Sequence, residues 1–405
     1  MALLAILVLI VGTGLNVSAA IVLSTVLLLR ELVGWLWRRI GLERIGYTRR
    51  LERDRVTWGE DIPVAIEVWN RRRVPVAWLQ ADDDATPGVI VREQPLLVGG
   101  GGRVLRNAWS LAPYERVTRR FHVSAERRGV YELGPVGLTV GDLFAREAGS
   151  DRRDTVDRFL VRPRIVKAAP PEARDIWGGQ DRARTGLTED PSRFAGIRAY
   201  TPGDPIRRVH HRASARIGRP VVKRFEPSRD REVLLALDVQ TGAGPAWKMT
   251  WDADEVESLF VIAASIARSL AAERAAFGMA AAGYHGAERR FAYVAPSAAP
   301  GQLERVLDLL ARLSSDPSAP FGALLGKLAR TLEPGTLVVI LTARDPAIHL
   351  GWLRRIERAG CRVVVLACGP DGVLDAERVR RHGIAARSVR LSGPWQTAER
   401  VAVTA

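Results

Sequence analysis

Cysteine is almost absent from this 405-residue chain: there are two, Cys361 and Cys368, both inside one apolar run, CRVVVLAC. Two thiols at that spacing offer neither a disulfide framework nor a zinc site, so both read as buried core residues of a protein in a reducing compartment. Lysine is scarce as well. Only Lys167, Lys223, Lys248 and Lys327 occur, so the net charge of +15 rests on arginine. Such a balance suits an anionic partner: a lipid surface, a nucleic acid or an acidic protein face. Catalytic signatures are missing too. The chain has no nucleophile elbow, no spaced Cys–His pair and no phosphate loop. The run Gly99 to Gly102 is followed by Arg103 and Val104 instead of Lys and Ser/Thr, and reads as a hairpin loop. His285, His349 and His382 are scattered and read as surface residues. These absences point away from an enzyme.

Charge is also absent from residues 2–29, ALLAILVLIVGTGLNVSAAIVLSTVLLL. One span needs about 20 apolar residues, so residues 1–40 read as a membrane anchor. Either a single tilted helix or a hairpin turning near Gly12–Asn16, with a short first leg and a longer second, fits this length. A cleaved signal would want basic residues before the apolar run and a small-residue cleavage site after it, and neither is seen. Arg30, Arg38, Arg39, Arg44, Arg49 and Arg50 follow the run, with Trp35 and Trp37 among them. The positive-inside bias places this side in the cytoplasm.

Residues 47–168 read as strands. In IPVAIEVWN, Ile62, Val64, Ile66 and Val68 alternate with more polar positions, the period of a half-buried strand. Turn signals recur at Gly59, Pro87-Gly88, Gly129 and Gly134-Pro135, a spacing that predicts an antiparallel β-sandwich. Asp82, Asp83 and Asp84 read as a solvated acidic loop, since the ligand spacing of a calcium site is lacking.

Residues 169–231 open with Pro170-Pro171 and read as a linker carrying an arginine-rich motif. Between Arg198 and Arg231 ten basic residues face the acids Asp204, Glu226 and Asp230. Thr201-Pro202-Gly203-Asp204 is a turn signal, and Asp204 is placed to pair with Arg207 or Arg208 or to cap the next segment. If the residues after the turn are extended, His210 and His211 point oppositely and cannot share a ligand. PVVKRF reads as a strand.

Residues 232–405 alternate strand and helix. Apolar runs end at Asp238, Thr342 and Cys368, acidic residues open a helix through Ala272, and WLRRIERAG is helical between two strands. This predicts a doubly wound α/β domain.

The pattern Arg198-x-Tyr200-x-Pro202-Gly203-Asp204, then Arg207, His210, Arg212 and Ser214-Ala215-Arg216, resembles the family known as domain of unknown function 58. Arg128-Gly129-Val130-Tyr131 and Gly141-Asp142-Leu143-Phe144 resemble it too. His211 stands where the family usually has Trp, and Asp142-Leu143-Phe144-Ala145 where it has Asp-Pro-Phe-Gly. The resemblance implies a von Willebrand factor A-like fold for the last domain. Such domains carry a metal site at Asp-x-Ser-x-Ser after the first strand. The aligned residues here are Asp238, Val239, Gln240, Thr241 and Gly242, so the site is degenerate: Gln240 and Gly242 replace both serines, and Arg344 stands near the later ligand position. The expected cofactor set is therefore none, with Mg²⁺ the ion to test. The resemblance also implies a MoxR-type AAA+ ATPase as partner, and hence a scaffold in a bacterial inner membrane with its soluble domains in the cytoplasm. The alternatives are a metal-dependent adhesion module, or a binder of anionic lipid or nucleic acid through the 198–231 arginines.

Overall fold

In the computed structural model, residues 2–15, 17–40, 42–99, 102–142, 147–168, 189–201, 209–227, 232–242, 252–283, 291–315 and 318–404 are described. The chain divides into two compact units, Met1–Arg162 and Pro163–Ala405.

The uncharged N-terminal run is broken. Ala2–Gly14 is one helix and Ser18–Ile40 a second, packed against the first. Only the second contains a stretch, Ser18–Trp35, long and apolar enough to cross a membrane. Small side chains let the two helices approach: Ala5 and Ser24 are buried, while Leu7, Val11, Val22 and Val26 are exposed. The Ser24 hydroxyl satisfies itself on the carbonyl of Ala20 at 2.6 Å. Arg39 lies over the ring of Trp35, 5.3 Å from its centroid.

The β-rich part of this unit is two sheets. One runs Ile45–Leu51, Ile62–Asn70, Arg116–Ala125, Val89–Val91, antiparallel throughout. The other has seven strands, with Gly129–Gly141 and Val76–Ala85 at its centre. The period-two pattern is the cause: Ile62, Val64, Ile66 and Val68 all face inward and share one core with Leu79, Leu105, Leu133, Leu138 and Phe159 of the second sheet. The unit is a sandwich. Gly99 pairs with Gly102 across a hairpin, so the glycine run does close a turn.

Two sequence expectations fail here. Gly134-Pro135 is not a turn; it lies inside the 13-residue strand Gly129–Gly141. Nor are the three aspartates a solvated loop, because they continue the strand Val76–Ala85. Leu79, Ala81, Asp83 and Ala85 take the inward positions at period two, and all are buried. Asp82 and Asp84 point outward and pair with Arg106 and Arg152, each at 2.8 Å. Asp83 is accommodated in the core because Arg49 from the other sheet meets it. Tyr47 donates to the same carboxylate at 2.6 Å. Arg49 also holds Asp157 at 2.7 Å and the carbonyls of Leu133 at 2.6 Å and Thr155 at 3.0 Å. The network bolts the two sheets together.

Gly134 makes room for it. Its φ is +97°, and an added Cβ would overlap the Thr155 carbonyl and come within 2.7 Å of Arg49 Nη2. Gly134→Ala is expected to cost about 3 kcal/mol through the positive φ and the displaced guanidinium. Chemical denaturation monitored on the sandwich checks this, and a loss under about 1 kcal/mol would show that the loop at Thr155 yields freely.

The second unit is built on a seven-stranded sheet in the order Ala292–Ser297, Phe277–Ala281, Val233–Leu237, Leu337–Thr342, Arg362–Ala367, Ala385–Leu391, Val401–Thr404. The inner five strands are parallel and the two outermost antiparallel. Central strands such as Val233–Leu237 are buried at every position, as expected when both faces are covered. Helices Phe321–Thr331, Leu350–Arg358 and Gly372–Arg381 share a core with Leu234, Ala236, Val338 and Ile340. Side chains alternate along a strand, so Val233, Leu235 and Leu237 face the other side. Helix Ala253–Ala272 packs on the sheet and Gln302–Arg312 packs beside it. Asp252 caps the first of these helices, accepting from Asp254 N at 2.8 Å. The unit begins before 168: Lys167 N donates to Glu399 O at 3.2 Å, and Val401 N to Lys167 O at 2.9 Å. Cys361 is buried as expected, but Cys368 is only half-buried, at the end of its strand.

Candidate functional site at the head of the parallel sheet

Strand order singles out one place in the second unit. After Val233–Leu237 the chain moves outward to Phe277–Ala281 and Ala292–Ser297; it then returns to add Leu337–Thr342 on the opposite side. Open α/β sheets hold ligands at the carboxyl ends of the strands where the order reverses in this way. The residues following those two strands are Asp238 and Ala343-Arg344.

Asp238 is 1% exposed. Its Oδ2 accepts from Arg344 Nη2 at 2.8 Å, Arg344 Nε at 3.1 Å and Thr342 Oγ1 at 3.1 Å. Its Oδ1 accepts from Gln240 N at 3.2 Å. Burial raises the carboxyl above its usual range, and Arg344 is the strongest opposing influence. We take it as ionised, since two guanidinium N–H groups and a hydroxyl converge on one oxygen. Arg344 is itself almost closed off, with 11% of its side chain exposed.

His349 is the third member, and it is not the surface residue its sequence context implied. It is buried at the end of the short helix Pro346–His349. Its ring stands edge-on to Phe321 with centroids 5.3 Å apart. Its Nε2 is 3.9 Å from Asp238 Oδ2 and 3.5 Å from Arg344 Nη2. Burial, then the guanidinium, depresses its pKa to about 4, so it is neutral at neutral pH. Asp345, next to Arg344, caps the short helix by accepting from Ala347 N at 2.9 Å and pairs with Arg378 at 2.7 Å. Gln240 and Thr241, which follow Asp238 in the chain, are buried, and the Thr241 hydroxyl has no hydrogen-bond partner among the described residues. Gly242 closes this described stretch, half-buried.

The arginine-rich motif forms a separate constellation. Glu189–Ala199 and Val221–Pro227 pair as an antiparallel ribbon. Among the described residues between them, those that follow His210 are not extended. His211–Ile217 is a helix whose N-cap is His210: Ala213 N donates to His210 Nδ1 at 3.2 Å. Ser214 pins this helix to the ribbon, accepting from Val221 N at 3.0 Å. Gly218 ends it at φ +74°. Those contacts give His210 and Ser214 structural work. Arg198, Arg212, Arg216 and Arg219 are exposed, as are Ile197 and Ile217, and Tyr200 is at the margin of exposure. Pro202, Gly203, Asp204 and Arg207 lie outside the described residues, so the expected Asp204–arginine pairing does too.

Residues 196–375 match the model of the family described as "Protein of unknown function DUF58". The match takes in the end of the strand Glu189–Ala199, the strand Val221–Pro227 and most of the sheet, including Asp238 and Arg344, but not the Arg128–Phe144 stretch. A comparison with curated proteins finds no match. Among solved structures, the CARDB domain of the PF1109 protein from Pyrococcus furiosus is similar over 29% of this chain and 91% of its own, at 14% identity and a TM-score of 0.21. A cohesin module from Clostridium perfringens is similar over 28% and 96%, at 11% identity and 0.21. Salmonella alpha-2-macroglobulin is similar over 31% and 7%, at 20% identity and 0.21.

Proposed function

We propose that this chain is a membrane-anchored scaffold whose α/β unit docks another protein through the head of its sheet. The observation that carries the reading is Asp238. At the place where such a sheet holds a ligand, the buried carboxylate is already neutralised by the chain's own Arg344, and the adjacent histidine is neutral. A general base needs a free lone pair aimed at a substrate, and here all four described hydrogen bonds to the carboxylate come from within the protein. A closed ion pair of this kind suits a rigid docking face better than a reaction centre.

The apolar helix Ser18–Ile40 supports the anchor, and the arginines after it support a cytoplasmic face for the soluble units. The α/β unit is read as von Willebrand factor A-like with a degenerate metal position. The partner implied by the DUF58 resemblance is a MoxR-type AAA+ ATPase, with the pair acting in assembly or maturation of other proteins in a bacterial inner membrane. Crosslinking the full-length protein in native membranes tests this. The expected catch is such an ATPase, reduced at least tenfold by Arg344→Glu in protein that remains folded. Recovery of nucleic acid or anionic lipid that washes off in salt would overturn it. That second reading has its own observation behind it, the exposed arginines of the ribbon.

A further inference from the structure

We infer that Arg344 is a tethered cation: its guanidinium holds the position at Asp238 that a divalent metal would take, and it makes the head of this sheet independent of metal ions. The von Willebrand factor A resemblance implies Mg²⁺ at this point, so the residues present must be asked whether they fit it. A hard divalent ion wants about six oxygen ligands and at least one accessible carboxylate. Asp238, Gln240, Thr241 and Thr342 supply a single carboxylate among them. That carboxylate is committed: Oδ2 receives Arg344 Nη2, Arg344 Nε and Thr342 Oγ1, and Oδ1 receives Gln240 N. Among the described residues no group of three or more His, Cys, Asp or Glu side chains could hold a metal. A dication would have to expel the guanidinium from a site in which its side chain is 11% exposed. The present residues therefore do not fit Mg²⁺.

The arrangement is more specific than a lost metal site. Burying one carboxylate needs one compensating positive charge, and Arg344 supplies it from two residues beyond the neighbouring strand. The planar fork places two donors on a single oxygen. Neutral His349 packs against both the guanidinium and the carboxylate without adding charge. The Thr241 hydroxyl, three residues on from Asp238, is buried and without a partner among the described residues. Removing the guanidinium would expose Asp238 Oδ2 to an ion, with Thr342 Oγ1 and water as neutral ligands.

Manganese serves as the probe, through loss of the free Mn²⁺ electron-paramagnetic-resonance signal with the full-length protein in detergent. Wild type is expected to show no Asp238-dependent binding up to about 1 mM. Arg344→Ser is expected to gain one site with a Kd of about 0.1–1 mM, the range of weak oxygen-ligand sites. Asp238→Ala in the Arg344→Ser background should abolish it. Arg344→Lys retains a cation and is expected to bind none, which separates charge from vacated space. Near-ultraviolet circular dichroism establishes that each variant is folded, and Arg344→Gln replaces Arg344→Ser should the latter unfold. Wild-type binding that Asp238→Ala removes would overturn the inference. So would a folded Arg344→Ser or Arg344→Gln variant that binds no Mn²⁺. The corollary, which rests on the docking reading, is that capture of the partner persists unchanged in EDTA. If capture fails under all conditions while the Mn²⁺ series behaves as expected, the docking reading is wrong and the tethered cation stands.

Discussion

Asp83→Ala is expected to destabilise the sandwich by about 3–5 kcal/mol, the cost of leaving a buried charge without its partner. Both side chains of the Arg49–Asp83 pair are wholly inaccessible to water. Removing the carboxylate leaves Arg49 with the partly exposed Asp157 and two carbonyls, and it also strips the Tyr47 hydroxyl of its acceptor. Hydrogen exchange in peptides covering 45–51 and 76–85 would read the loss locally. A double change, Arg49→Met with Asp83→Leu, should recover most of it, since a buried pair and an apolar filling of similar volume differ little. A cost for Asp83→Ala below about 1 kcal/mol would mean that water relieves the guanidinium.

The same residue gives a pH dependence with a definite sign. Burial lifts the Asp83 carboxyl to about 6, with Arg49 the chief opposing influence. The folded state therefore holds a proton there that the unfolded state has released, between the ordinary carboxylate range and about 6. Stability from this group is greatest at the acidic end and is lost as pH rises through that window. Asp83→Asn should flatten the wild-type slope between about pH 4 and 6. An unchanged slope would assign the pH dependence to other carboxylates.

Asp238→Ala is the second large expected effect, again about 3–5 kcal/mol, now confined to the parallel sheet. Arg344 would keep its charge with little solvent to receive it, and the Thr342 hydroxyl and Gln240 N–H would lose their shared acceptor. Arg344→Met alone should cost a similar amount by stranding the carboxylate. The double variant should cost less than the sum, with a coupling energy of about 2 kcal/mol or more. Exchange protection of Val233–Leu237 and Leu337–Thr342 is the readout. Strict additivity would show that the two groups do not depend on each other.

Much of the architecture is legible in the sequence because burial leaves a periodic trace. Ile62 to Val68 alternate as a half-buried strand must, and Leu234 to Leu237 run apolar as a doubly covered strand must. The proximity of Arg344 to Asp238 is also readable, since two apolar runs that form adjacent strands bring the residues after them together. Asp83 carries a signal that its neighbours mask: Leu79, Ala81, Asp83 and Ala85 lie at period two, but three consecutive acids look like a solvated loop. Its partner Arg49 cannot be found that way, because a contact between sheets depends on how strands far apart in sequence are stacked. His349 leaves no trace at all. A histidine five residues after Arg344 reaches the site only because Pro346–His349 winds as a short helix capped by Asp345. The helical turn at His211–Ile217 is hidden for a related reason: its cap is a histidine ring, not the usual Ser, Thr, Asp or Asn.

The bridge between Lys167 and the last strand has a mechanical meaning. The segment by which the polypeptide enters the α/β unit is laced to Glu399 and Val401 at its other extremity. Arg164 also grips the backbone at Trp395 and Gln396. Tension applied between the entry segment and the C-terminal strand would be borne first by these few hydrogen bonds, pulled in shear. The central strands Val233–Leu237 and Leu337–Thr342, with Asp238 at their head, would be shielded until that lacing parted.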